Sequence, residues 1–308
     1  MRLFDLHCDT LYECYRKGES LAGNSCAVDL QRGRNYSPWC QVFAIWLSDA
    51  VRGEQAWQQC CDILKYAQEQ VERSNGMLRF PQTYSQLQTA LSANCVVGLL
   101  GVEGGAALAG NPERVEELAA MGVKVITITW NGSNELGNGC MAKNNNGLTE
   151  IGKQTVCEME RCGIVPDVSH LNVAGFWDVA AVTTCPFLAS HSVSMTVNKH
   201  PRNLCDDQFR EIRDRGGLVG LTLCAEQLGE QSFDCLYRHL DWYWSLDGVD
   251  TVALGFDLDG TDLPLKWQGI GVYESFAEYL QKRGANAKSV DRLFFENAYR
   301  FFSRILPQ

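Results

Sequence analysis

Short apolar, β-branched runs alternate along the chain with longer segments in which apolar residues recur at helical spacing. Eight of the short runs read as strands: Arg2–Leu6, Cys40–Leu47, Cys95–Val102, Val123–Thr129, Gly163–Val168, Phe187–Ser190, Gly217–Leu223 and Thr251–Gly255. Helical periodicity marks Glu54–Arg73, Pro112–Met121, Glu150–Arg161, Val173–Val182, Asp206–Arg215 and Phe233–Ser245, and two further helices, Tyr273–Arg283 and Val290–Ile305, close the chain. This is the alternation of β-α units wound about a parallel sheet. Eight units in 308 residues predict an α/β protein, one (β/α)8 TIM-like barrel over 1–308 with extra C-terminal helices. An open doubly wound sheet fits less well, because no glycine fingerprint follows the first strand. Two connections are long: the one between the first two strands, and Asn131–Gly147. The second is rich in Asn and Gly, with no Pro/Ser linker on either side, and is expected to be a flap over a site and not a domain boundary.

Composition narrows the partners. A hydrophobic content of 45% supports a sizeable core, and 37 acidic against 27 basic residues, a formal charge of −10, disfavours nucleic acid or an anionic membrane surface. Residues 1–10 lack the apolar stretch of a signal peptide, and no segment approaches the roughly 18 apolar residues needed to cross a bilayer. A cytoplasmic protein acting on a small molecule is expected. The 14 cysteines include no C-x-x-C pair and sit mostly in apolar segments, so they are expected to be reduced. Cys60 and Cys61, adjacent in a helix, would face different directions.

Three of the five histidines, His7, His170 and His191, fall within a residue or two of a predicted strand end. Two acids, Glu103 and Asp257, hold the same kind of position. In a (β/α)8 barrel those ends converge on one mouth, so all five residues are candidates for one site. On an extended segment His7 and Asp9 face one way and Cys8 the other, which aims an imidazole and a carboxylate at one point and leaves Cys8 as a core thiol. Glu103 has two carboxylate oxygens and can link that point to a second formed by His170 and His191. Two cations about 3.5–4 Å apart would share a hydroxide and polarise a carbonyl.

The ordered motifs D-L-H-C-D-T (5–10), G-V-E-G-G (101–105), G-L-T-E-I-G-K (147–153), D-V-S-H (167–170), S-H-S (190–192), R-N-L-C-D-D (202–207) and G-F-D-L-D-G (255–260) make the chain resemble the renal (membrane) dipeptidase family of binuclear zinc peptidases nearly end to end. The resemblance implies two divalent ions, most simply zinc, with His7 and Asp9 on one, His170 and His191 on the other and Glu103 bridging. It also implies that Arg202 grips the substrate's terminal carboxylate, and that Asp257 lies beside the bridging water and the free amine. A guanidinium fork and a proton-shuttling acid suit those tasks. One position departs from the pattern. Mammalian members place a histidine after the fourth strand for the substrate oxyanion, and this chain has Trp130. Either Trp130 or Asn131 then contacts the substrate as a weaker donor, or the metals carry that stabilisation alone, or the substrate differs.

The expected function is hydrolysis of a dipeptide by the metal-bridging hydroxide. The alternatives are a metal-dependent hydrolase of another amide, an N-acyl amino acid or a lactam, and a non-catalytic binding protein on the same barrel. The filled set of five metal positions argues against the last. A homodimer is a family expectation without an apolar stripe to announce it. His239 reads as a structural mid-helix residue, and Trp242, Tyr243 and Trp244 as helix packing. His200, Asp259 and Asp262 stay outside the expected ligand set.

Overall fold

The computed structural model describes residues 1–308. Its strands are β1 (Leu3–Cys8), β2 (Trp39–Trp46), β3 (Leu78–Arg79), β4 (Val96–Glu103), β5 (Val123–Thr127), β6 (Val165–Asp167), β7 (Leu188–Ala189), β8 (Leu218–Leu221) and β9 (Val252–Leu254). They pair in the order β2-β1-β9-β8-β7-β6-β5-β4, and β4 returns to β2, so eight parallel strands form a closed barrel as expected. The short β3, not foreseen from the sequence, adds a two-residue pairing to the start of β4.

Side-chain alternation divides the core. Phe4, Leu6, Val42, Leu99, Val125, Leu188 and Leu218 fill the lumen together with Phe295, Phe301 and Phe302 of the C-terminal segment, while a larger apolar cluster lies between strands and surrounding helices. Phe4 stacks on Phe302 with ring centroids 5.3 Å apart, so the last helix caps the end where the strands begin. The opposite end is left for polar residues. The helix expected over Val290–Ile305 is Ala287–Asp291 and Asn297–Ile305 joined by a π turn at Arg292–Glu296. That turn directs Phe294 to the outer cluster and Phe295 into the lumen.

Other differences have local causes. Helices Thr10–Lys17, Tyr84–Ser92 and Ala225–Leu228 escaped the periodicity because the first starts directly from a strand and the last is a single turn. β7 is shorter than expected because the Ser190 amide is taken by the Asp167 carboxylate, at 3.0 Å, and not by the ladder. No helix is long and apolar enough to cross a membrane. The cysteines are free, with Cys60 buried and Cys61 half-exposed on the same helix.

Candidate metal centre

Strict alternation would turn His7 outward with Leu3 and Asp5. A register shift between Asp5 and Cys8 breaks that pattern, so that Cys8 packs in the outer cluster and His7 turns to the mouth. The shift is held by Asp5, wholly buried, whose carboxylate accepts the His7 amide at 2.9 Å, the Phe256 amide at 2.9 Å and Gln41 Nε2 at 3.0 Å. Beyond it the Asp257 amide donates to the His7 carbonyl (3.2 Å) and the Asp9 amide to the Leu258 carbonyl (2.9 Å). The first and last strand motifs are thereby laced together. Asp9, expected on an extended segment, is instead the N-terminal cap of helix Thr10–Lys17 (φ −91°, ψ 6°). It still faces His7, at 3.9 Å from Nε2 to Oδ1.

Asp167 does for β6 and β7 what Asp5 does for β1. Its Oδ1 accepts the Ser169 and Ser190 amides (2.9 and 3.0 Å), and its Oδ2 accepts the hydroxyls of Ser190 (2.6 Å) and Thr127 (2.7 Å). Because the Ser190 hydroxyl proton goes to Asp167, its oxygen accepts from His191 Nδ1 at 2.7 Å. His170 Nδ1 likewise donates to Asn131 Oδ1, at 2.8 Å. Both imidazoles therefore present Nε2 to the mouth, the arrangement found where the other ring nitrogen of a ligand histidine is fixed by an outer partner. His170 and Asp257 both adopt left-handed backbone (φ 67° and 61°), which turns the chain sharply at the strand ends.

The expected residues converge. Glu103 ends β4 with Oε2 3.5 Å from His7 Nε2, and with Oε1 2.9 Å from His170 Nε2 and 3.5 Å from His191 Nε2. Asp257 Oδ1 lies 3.7 Å from His7 Nε2. Donor atoms of His7, Asp9 and Asp257 form one group within 4.8 Å of one another, and those of His7, Glu103 and His191 another. None of these six residues is more than 8% exposed. Burial works against charge on His7, but Glu103, Asp9 and Asp257 outweigh it and push the imidazole up to about 10. Burial and the Arg202 charge push His170 down to about 4. Burial, then His7 and Arg202, hold His191 well below its usual range. Burial raises Asp257 to about 7. The cluster thus draws positive charge to its centre while keeping two imidazoles neutral.

A divalent ion fits these residues. His7 Nε2 and Asp9 Oδ1 are buried without a hydrogen-bond partner, and such atoms are costly unless something else satisfies them. Imidazole with carboxylate is a donor set for zinc-like ions. Gly260 closes the space, since a Cβ there would meet Asp257 Oδ1 and Asp9 Oδ2, each at 2.3 Å.

Above the cluster opens a cleft of about 420 Å³. Buried Arg202 lines it, with Nη2 donating to the His191 carbonyl at 3.3 Å. Trp130, with Asn131 and Met141 of the Asn131–Gly147 loop that follows it, forms part of its wall, and the Cys140 amide ties that loop to the His170 carbonyl at 2.7 Å. His200, kept outside the expected ligand set although its loop position two residues before Arg202 allowed it to line the pocket, does line the cleft and accepts the Arg202 amide at 3.3 Å. Asp259 borders it but spends its carboxylate on Thr10 Oγ1 and the Ala27 amide. His239 lies elsewhere, buried, accepting the Ser194 amide (3.1 Å) and donating to the Leu228 carbonyl (3.2 Å), which is the structural role expected of it. Asp5, Asp167 and Ser190 were missed as site-building residues. The signal that could have found the two acids is an aspartate inside an apolar strand run, two or three residues ahead of a histidine; Ser190 carries no such signal.

Comparison with known proteins agrees with this picture. A curated protein of Klebsiella pneumoniae, described as an uncharacterized protein in the pqqA 5' region, is 29% identical over 82% of this chain and 96% of its own length. The dipeptidase verJ of Clonostachys rogersoniana is 27% identical over 76% of this chain and 62% of its own. Among solved structures, a metallopeptidase from Rhodobacter sphaeroides, bound to a phosphinate mimic of the dipeptide L-Ala-D-Ala, superposes with a TM-score of 0.91 at 24% identity, covering 99% of each chain. An amidohydrolase from Pseudomonas aeruginosa superposes with a TM-score of 0.80 at 20% identity, over 99% of this chain and 96% of that one. The sequence model of the membrane dipeptidase family, peptidase family M19, matches residues 1–306, and the chain belongs to that family.

Proposed function

We propose that this protein is a metal-dependent dipeptidase with a binuclear, zinc-type centre. His7 and Asp9 would hold one ion, His170 and His191 the other, and Glu103 both. The observation that carries this is the division of the Glu103 carboxylate, with Oε2 toward His7 and Oε1 toward His170 and His191. When bound, such ions supply Lewis-acid activation of a water and of the scissile carbonyl.

The remaining work falls to the chain. Arg202 is buried at the cleft wall and can pair both guanidinium nitrogens with a free C-terminal carboxylate, so it selects short substrates ending there. Asp257 faces the same cleft and would take the proton of the attacking water and return it to the leaving amine. Glu103 assists by holding the His7 and His170 sides in register. Asn131 and the Ser190–Asp167 pair keep two imidazoles in a single tautomer. Trp130 borders the substrate in place of the family's histidine.

The test combines metal analysis with turnover of a panel of L-L and L-D dipeptides, before and after His7→Ala. Two ions per chain and cleavage lost in the variant are expected. No cleavage of any dipeptide by the loaded protein would overturn the reading, and faster turnover of N-acyl amino acids would move it to that class of amide.

A further inference from the structure

The mouth of the barrel is chemically divided. Following the strands around it, the β1–β5 arc carries Tyr12, Trp46 and Trp130 on the cleft wall, with Met141 beside them. The β7–β9 arc carries no Phe, Tyr or Trp side chain and contributes Arg202 and Asp257, while the acids Asp9, Glu13 and Glu103 line the cleft on the aromatic side. The aromatic arc is continuous. Tyr12 meets Trp46 edge-on with centroids 5.1 Å apart, Trp46 meets Trp130 edge-on at 5.1 Å, and Trp130 reaches to 6.1 Å from His170. It also begins at the reacting centre, because Trp46 is the strand partner of Glu103.

These rings are half-buried and Met141 is 57% exposed, so apolar surface faces an open cleft and not the core. Edge-to-face packing fixes the rings in place, so a ligand would cover them without first ordering them. We infer that the Tyr12–Trp46–Trp130 arc is a specificity subsite for a bulky apolar or aromatic side chain of the substrate, whose polar termini lie against the Arg202 and Asp257 arc. The inference rests on the dipeptidase reading for the identity of the substrate, and it names the class of dipeptide that this chain prefers. Covering one benzyl or isobutyl group by such a wall corresponds to about 10- to 100-fold in kcat/KM over a methyl group.

The experiment compares kcat/KM for Ala-Ala, Phe-Ala, Ala-Phe, Leu-Ala, Ala-Leu, Arg-Ala and Glu-Ala in the metal-loaded protein and in Trp46→Ala, Trp46→Phe and Tyr12→Ala. At one of the two positions the Phe or Leu substrate is expected to exceed Ala-Ala by at least about tenfold. That ratio should fall toward one in Trp46→Ala and by less in Trp46→Phe. If Trp46→Ala does not fold, Tyr12→Ala on its half-exposed helix reads the same ratio. A ratio within about threefold of one at both positions, or one unmoved by the variants, overturns the subsite, as does a preference for Arg-Ala or Glu-Ala. Should no dipeptide be cleaved, the dipeptidase reading falls by itself and the arc is judged by tryptophan fluorescence. Tighter binding of Phe-Ala or Ala-Phe than of Ala-Ala, weakened in Tyr12→Ala, supports it, and equal binding rejects it.

Discussion

Ser190 shows how a side chain that need not touch an ion can decide whether one binds. Its hydroxyl gives its proton to Asp167 Oδ2 at 2.6 Å, receives His191 Nδ1 at 2.7 Å and lies 3.5 Å from His7 Nδ1. It therefore adjoins imidazoles assigned to both halves of the proposed centre. Without it, His191 would lose the partner that fixes its tautomer, and Asp167 would keep a buried lone pair unpaired. Ser190→Ala is expected to weaken metal binding by about 10- to 100-fold, measured by competition with a chromophoric chelator, while Ser190→Thr restores most of it. Unchanged affinity in the alanine variant would mean that the strand backbone alone orients the ring.

At the scale of elements, the site depends on how closely three strand ends approach. A Cβ on Gly255 would lie 1.8 Å from the Ser190 carbonyl oxygen, and one on Gly220 would lie 1.9 Å from the same atom. The obstacle is backbone, so neither strand can yield by a rotamer change. Gly255→Ala should therefore push the β7 end away from β9, costing about 1–3 kcal/mol in chemical denaturation and lowering metal affinity together with stability. Loss of stability alone would show that the displacement is absorbed outside the mouth. This is also where the sequence stopped being informative. Strand count and barrel closure were legible because apolar period-two runs and helical runs alternate, and the five strand-end candidates were legible because three of the five histidines and two acids each follow such a run. The bulge at His7 and the early end of β7 were not, since each depends on a carboxylate, Asp5 or Asp167, claiming a backbone amide, and neither was the capping position of Asp9, whose amide goes to the Leu258 carbonyl. The three-ring arc was equally hidden. Tyr12, Trp46 and Trp130 are far apart in sequence, and only closure of the barrel brings them into contact.

Across the whole molecule the two ends of the barrel are held by different physics. Phenylalanines of the C-terminal segment close the end where the strands begin, and that apolar contact needs no cofactor. The other end gathers the carboxyl groups of Asp9, Glu103 and Asp257 around the His7 imidazole, all of them buried side chains. The groups come from β1, from the end of β4 and from the segments after β6, β7 and β9, so ions held there would tie together strands from around the entire barrel. Their stabilisation should then appear as a shift of the whole unfolding transition and not as local loosening. Two independent ions, each at about a hundred times its Kd, contribute roughly 2.7 kcal/mol apiece. At about 1–3 °C per kcal/mol for a protein of this size, that amounts to about 5–15 °C. Treatment with a chelator, followed by titration of zinc and calorimetry at each step, should lower Tm by that amount and then restore it, with the rise ending at two equivalents. A rise that ends at one equivalent would leave His7 and Asp9, or else His170 and His191, without an ion. A Tm unmoved by chelation would mean that the mouth closes through the Asp5 and Asp167 hydrogen bonds alone.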